Sequence, residues 1–89
     1  MEKEFLIISE QGLHARPVTK LVDLATSFDA DIFISVQGRR VNMKSIMGVM
    51  SLGINQGQRV VLSIDGDEAQ RANDALTKFL TSDGLAKLV

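Results

Sequence analysis

The strongest constraint on the fold is a change of hydrophobic period early in the chain. From Pro17 onward, Val18, Leu21, Val22, Ala25 and Phe28 recur at the spacing of one helix face. Thr19, Lys20, Asp23 and Thr26 fall on the opposite, wet side. Immediately afterwards "DIFISV" at 31–36 alternates, so Ile32, Ile34 and Val36 share one face of a strand. A helix with one apolar stripe, followed at once by a strand with one apolar face, buries both by packing helix on sheet.

The remaining segments extend this pattern. "KEFLIIS" at 3–9 reads as a buried strand that Gly12 breaks. Pro17 is tolerated in a first helical turn, where its missing N–H has no partner to lose, so a helix begins within a residue or two of Ala15–Pro17. "QGRR" turns the chain at Gly38 and "VNM" returns as a short strand, which predicts a hairpin. Ser45 suits an N-cap and Gly53 a C′ position, with Ile46, Val49 and Met50 at helical spacing between them. This predicts a short helix over 46–52, against which Gly48 counts. "RVVLSI" at 59–64 is a strand with Val60, Leu62 and Ile64 on one face. "DGDEAQ" turns the chain, and Asp67 with Gln70 matches a capping box for a helix carrying Ala69, Ala72, Leu76, Phe79 and Leu80 as its stripe. Gly84 ends that helix. The order βαββαβα predicts an α+β domain, a largely antiparallel sheet with helices on one face. The ferredoxin-like motif has nearly the same string, so the pattern by itself leaves the strand order open.

At 89 residues the chain is expected to be one domain, 1–89. The apolar fraction of 45% supports an ordered core. Without Cys there is no disulfide and no thiolate metal site, which suits a cytoplasmic protein. The longest early apolar run, "FLII", is far short of a membrane span and lacks the form of a signal peptide. A net charge of −1 with scattered basic residues, and no Trp or Tyr, argue against nucleic acid as a direct partner.

The one His of the chain, His14, stands in "QGLHARPVTKL" just ahead of the first helix. The bland alternative is an ordinary loop histidine. Near neutral pH an unperturbed imidazole is mostly neutral, so a ring nitrogen is free to attack. A helix mouth offers unpaired N–H groups and the positive end of the dipole, which together hold an anion, commonly phosphate. Arg16 adds a forked cation suited to phosphate oxygens. Nucleophile, anion seat and cation converge on phosphoryl transfer to imidazole. No metal is required there, and one His without Cys could hardly supply a site. "GVMSLGI" has the two glycines of a P-loop, but Ile54 stands where Lys is required, and there is no GxGxxG. No nucleotide cofactor is expected, and the phosphate must come from another protein.

"GLHARP" at 12–17, "VNMKSIMGVMSLG" at 41–53 and "GDEAQRANDAL" at 66–76 resemble the HPr family, histidine-containing phosphocarriers of the bacterial phosphoenolpyruvate:sugar phosphotransferase system. The resemblance covers the whole chain. It implies an open-faced β-sandwich, four antiparallel strands in order 1-4-2-3 with three helices on one face. It implies that His14 takes a phosphoryl group on Nδ1 from enzyme I and passes it to the enzyme IIA components of sugar permeases, with Arg16 assisting. The protein is then a stoichiometric carrier, expected to be a monomer, and not a self-sufficient enzyme. Ser45, beyond its capping role, matches the serine that an HPr kinase/phosphorylase modifies for co-repression with a catabolite control protein. Ile46, Met47 and Met50, with Pro17 and Lys20 at the start of the first helix, would form the partner-docking surface. Met47 falls off the apolar face and is expected to be exposed, a soft contact for several partners.

Two positions depart from the family pattern. Val18 stands where Ala is usual, and Lys20 where an apolar or amide residue is common. Rival readings are a nitrogen-type HPr-like regulator, which keeps the histidine, and a ferredoxin-like ligand-binding module. The catabolite-repression paralogue lacks the histidine, so His14 argues against it.

Overall fold

The computed structural model describes residues 1–89. Eight elements follow one another: β1 (Glu2–Ile7), α1 (Ala15–Thr26), β2 (Asp31–Val36), β3 (Arg39–Asn42), α2 (Ile46–Met50), β4 (Arg59–Asp65), α3 (Ala69–Ser82) and β5 (Ala86–Leu88). The strands form one antiparallel sheet in the order β3-β2-β4-β1-β5. The expected order 1-4-2-3 is contained in it. The sheet has five strands where four were expected, because β5 adds to the free edge of β1 with Phe5 opposite Leu88 and Ile7 opposite Ala86. Three residues carry no readable period, so only pairing reveals this strand.

Alternation sets which face is covered. Phe5, Ile7, Ile32, Ile34, Val36, Val60, Leu62 and Ile64 are buried and join one core with Val18, Leu21, Val22 and Ala25 of α1 and with Ala72, Leu76 and Leu80 of α3. Their strand neighbours, such as Glu2, Glu4, Asp31, Arg59 and Asp65, lie on the other side and face water. The three helices therefore share one side of the sheet. Val18 is completely buried. Burying an aliphatic side chain of this size is worth about 1.5–3 kcal/mol.

The element ends show where local chemistry decides. The β2–β3 hairpin turns through two residues, Gln37 and Gly38, both at positive φ (51° and 80°). That pair of left-handed residues matches the right-handed twist of the flanking strands. The strand after it thus begins at Arg39, earlier than "VNM" suggested. Helix α2 stops at Met50, short of 52, because the backbone N–H of Ser51 and Leu52 turn to Met47 and Val49 and close the last turn. The capping box expected of Asp67 and Gln70 does not form. Glu68 is the N-cap of α3 and makes no side-chain cap. Its carboxylate instead accepts from the Asp29 backbone N–H at 2.7 Å and from Arg71 at 2.8 Å. Gln70 donates to Asp74. Those bonds tie the β4–α3 turn to the α1–β2 loop, a link between segments 39 residues apart that no local motif encodes. Gly84 terminates α3 as expected, at positive φ just after the Asp83 cap, with Leu85 N–H reaching back to the Leu80 carbonyl at 3.2 Å.

Candidate functional site

The segment leading into α1 is fixed before its side chains are considered. Gly12 has φ +64°, and a Cβ there would run into the Ile54 carbonyl. That carbonyl accepts the Leu13 N–H at 3.1 Å, while Gly12 N–H donates to Ser9. Leu13 is buried. The backbone is therefore held on both sides one residue before His14.

His14 is the N-cap of α1, with extended backbone (φ −85°, ψ −177°) and a carbonyl that accepts the Val18 N–H at 3.1 Å. Its side chain makes no capping hydrogen bond and is exposed. The N–H groups of His14, Ala15 and Arg16 find no partner within the chain. Pro17 has no N–H to offer. The first turn holds no acidic residue. An open ring nitrogen thus stands beside unpaired amides at the positive end of a 12-residue helix. This geometry can seat an anion against the imidazole.

Around it lies a shallow cleft of about 150 Å³, lined by His14, Arg16, Pro17, Lys20, Phe79, Asp83 and Leu85. The structure thus brings His14, Arg16, Pro17 and Lys20 together as expected. Phe79, near the end of α3, and Asp83 and Leu85, just beyond it, are additions that the sequence pattern does not indicate. Their side chains reach the site only because α1 and α3 pack side by side. Phe79, a stripe residue of this helix, is only partly buried and packs against the core. Pro17 is buried, so it shapes the cleft more than it offers a partner surface.

Ser45 caps α2 as expected: its Oγ accepts the Gly48 N–H at 3.0 Å. At the other end of this helix the Arg39 guanidinium donates to the Ser51 carbonyl at 3.0 Å. Only Val49 of α2 is buried. Ile46, Met47 and Met50 are exposed to 43%, 84% and 41%, whereas Met43 is completely buried. Helix α2 packs against α1, so its apolar outer side adjoins the helix that carries His14. No helix of the protein is long and apolar enough to cross a membrane.

The chain matches the family model described as the PTS HPr component phosphorylation site over residues 1–82. Among solved structures it resembles the histidine-containing phosphocarrier protein of Mycoplasma, at 31% identity over 98% of this chain and 99% of that one, with a TM-score of 0.94. It resembles phosphocarrier protein HPr of Bacillus anthracis at 40% identity over 89% and 94%, with a TM-score of 0.82. It also resembles Crh, the catabolite-repression protein of Bacillus subtilis, itself described as a swapped dimer, at 38% identity over 86% and 88%, with a TM-score of 0.73. The expected resemblance, the open-faced fold and the phosphocarrier role agree with these matches, and the chain belongs to the HPr family of phosphocarriers of the phosphotransferase system.

Proposed function

We propose that His14 is the phosphoryl acceptor, taking the group on Nδ1 from enzyme I and passing it to enzyme IIA proteins. The observation that carries this reading is the unengaged imidazole at an uncapped helix mouth, with the Ala15 and Arg16 amides unpaired beside it. In the first step a ring lone pair attacks phosphorus, the new P–N bond forms, and the bond to the donor breaks. The group's oxygens meet the free amides and the Arg16 guanidinium, which stabilise charge without consuming it. In the second step an acceptor on enzyme IIA attacks the same phosphorus, and the imidazole leaves with its electron pair. One group in and one group out make the protein a stoichiometric carrier, not a catalyst with turnover of its own. Ile46, Met47 and Met50 supply the docking surface, with Lys20 at its rim and the buried Pro17 supporting it from below. Ser45 is a regulatory phosphorylation site for an HPr kinase/phosphorylase, and the modified form serves a catabolite control repressor. The protein works as a cytoplasmic monomer. The test is incubation with enzyme I and phosphoenolpyruvate followed by intact mass measurement. One acid-labile phosphoryl group on the wild type and none on His14→Ala is expected. Label that survives in the variant would transfer the acceptor role to another residue.

A further inference from the structure

Helix α1 carries its charges in the wrong place for a helix. Cations stabilise the C-terminal turn and anions the N-terminal one. Here Arg16 and Lys20 occupy the first two turns, the first turn contains no acid, and the last turn contains no base. Arg16 and Lys20 are also four residues apart, so two like charges share one face, a mildly destabilising spacing. Neither forms an ion pair; the three ion pairs of the protein lie elsewhere. Neither side chain makes a hydrogen bond within the protein, whereas Lys44 donates to the Phe28 carbonyl and Arg39 to that of Ser51. Both side chains line the cleft of His14, where Asp83, the C-cap of α3, is the only acid. Two free cations thus face one carboxylate at a site already short of negative charge.

A phosphoryl group brings close to two negative charges. We propose that Lys20 is a second phosphoryl-binding cation, which closes on the oxygens of the group held by His14 from the side opposite the helix amides. This deepens the acceptor reading above and rests on it. Lys20 then has a task beyond the docking rim. Asp83 faces the two cations while the site is empty and opposes the group once it has arrived, so it favours onward transfer over retention.

The test uses phosphohistidine made chemically with phosphoramidate, so that it does not depend on enzyme I. Phosphorus NMR follows the second ionisation of the bound phosphoryl group in wild type, Lys20→Gln and Lys20→Arg. A neighbouring cation favours the dianion. Loss of Lys20 should therefore raise the midpoint by roughly half a pH unit, equivalent to about threefold, the size expected of an exposed charge pair. Lys20→Arg should restore the wild-type midpoint, and 0.5 M salt should shrink the difference between wild type and Lys20→Gln. Identical midpoints in all three proteins at low salt would overturn the proposal and return Lys20 to the docking rim. If enzyme I fails to load the wild type while phosphoramidate succeeds, the carrier reading fails and the Lys20 result still stands on its own.

Discussion

The mouths of α1 and α2 are built in opposite ways. At α2 the Ser45 hydroxyl accepts the Gly48 N–H, and Arg39 holds the carbonyl end. At α1 the cap residue is a histidine whose side chain caps nothing, and the following amides stay unpaired. Helix α2, five residues long, is closed at both ends; α1, with 12, is left open at its start. Length explains how this is affordable. Helix α1 buries Val18, Leu21, Val22 and Ala25 and stays folded without a cap worth about 1 kcal/mol. Helix α2 buries only Val49 and relies on its ends. The protein keeps its anion seat on the element whose packing makes a cap dispensable.

The largest effect should come from changing the open mouth. His14→Asp supplies the missing cap and should raise stability by about 1 kcal/mol, while all phosphoryl acceptance from enzyme I is lost. Denaturant melts and a transfer assay on the same sample check both halves. If His14→Asp instead destabilises the fold, the mouth is not open in the sense described. Next in size, Arg16→Ala should slow transfer about tenfold without abolishing it, since the amides remain. Rapid-quench rates in both directions measure this, and unchanged rates would remove Arg16 from the site.

The closed mouth offers the converse experiment. Ser45→Ala should cost about 1 kcal/mol, near 4–8 °C in melting temperature, and leave the phosphorylation rate of His14 nearly unchanged. A variant as stable as wild type would show that the Gly48 bond contributes nothing. Ser45→Asp keeps an acceptor at the cap. It should slow phosphorylation of His14 a few-fold by placing a charge within the proposed docking face, an effect that salt weakens. A defect undiminished at high salt would point to altered structure. Smallest in its effect on the fold, Met47→Asp should weaken binding to enzyme I with no shift in melting, because Met47 is 84% exposed. A marked loss of stability would place it in the core after all.

Much of this arrangement was legible in the residues. The stripe from Val18 to Ala25 and the alternation of Ile32, Ile34 and Val36 each report a buried face, and burial is what periodicity encodes. Ser45 was legible because a cap is a local bond across three residues. What escaped was non-local. Nothing near Asp83 in the chain says that it shares a cleft with His14, and Glu68 abandons the cap position for the distant Asp29 amide. Strand β5 is too short to announce itself and exists only where β1 offers an edge. Pro17 is legible as a helix starter but not as a buried wall of the cleft.

The strand order has a consequence for the time course of folding. Strand β1 precedes the other four strands, yet its two neighbours, β4 and β5, are the last two of them. The Val89 N–H closes on the Glu4 carbonyl, and the Met1 amino group on that of Ile64. On a ribosome the β2–β3 hairpin and α1 can gather early, but β1 must wait as an unpaired apolar segment until β4 and β5 have emerged. Closing contacts of such long sequence separation slows folding relative to a helical bundle of the same size. The step that buries Phe5 and Ile7 must follow emergence of β4 and β5, and the interval before it leaves an apolar strand exposed to aggregation.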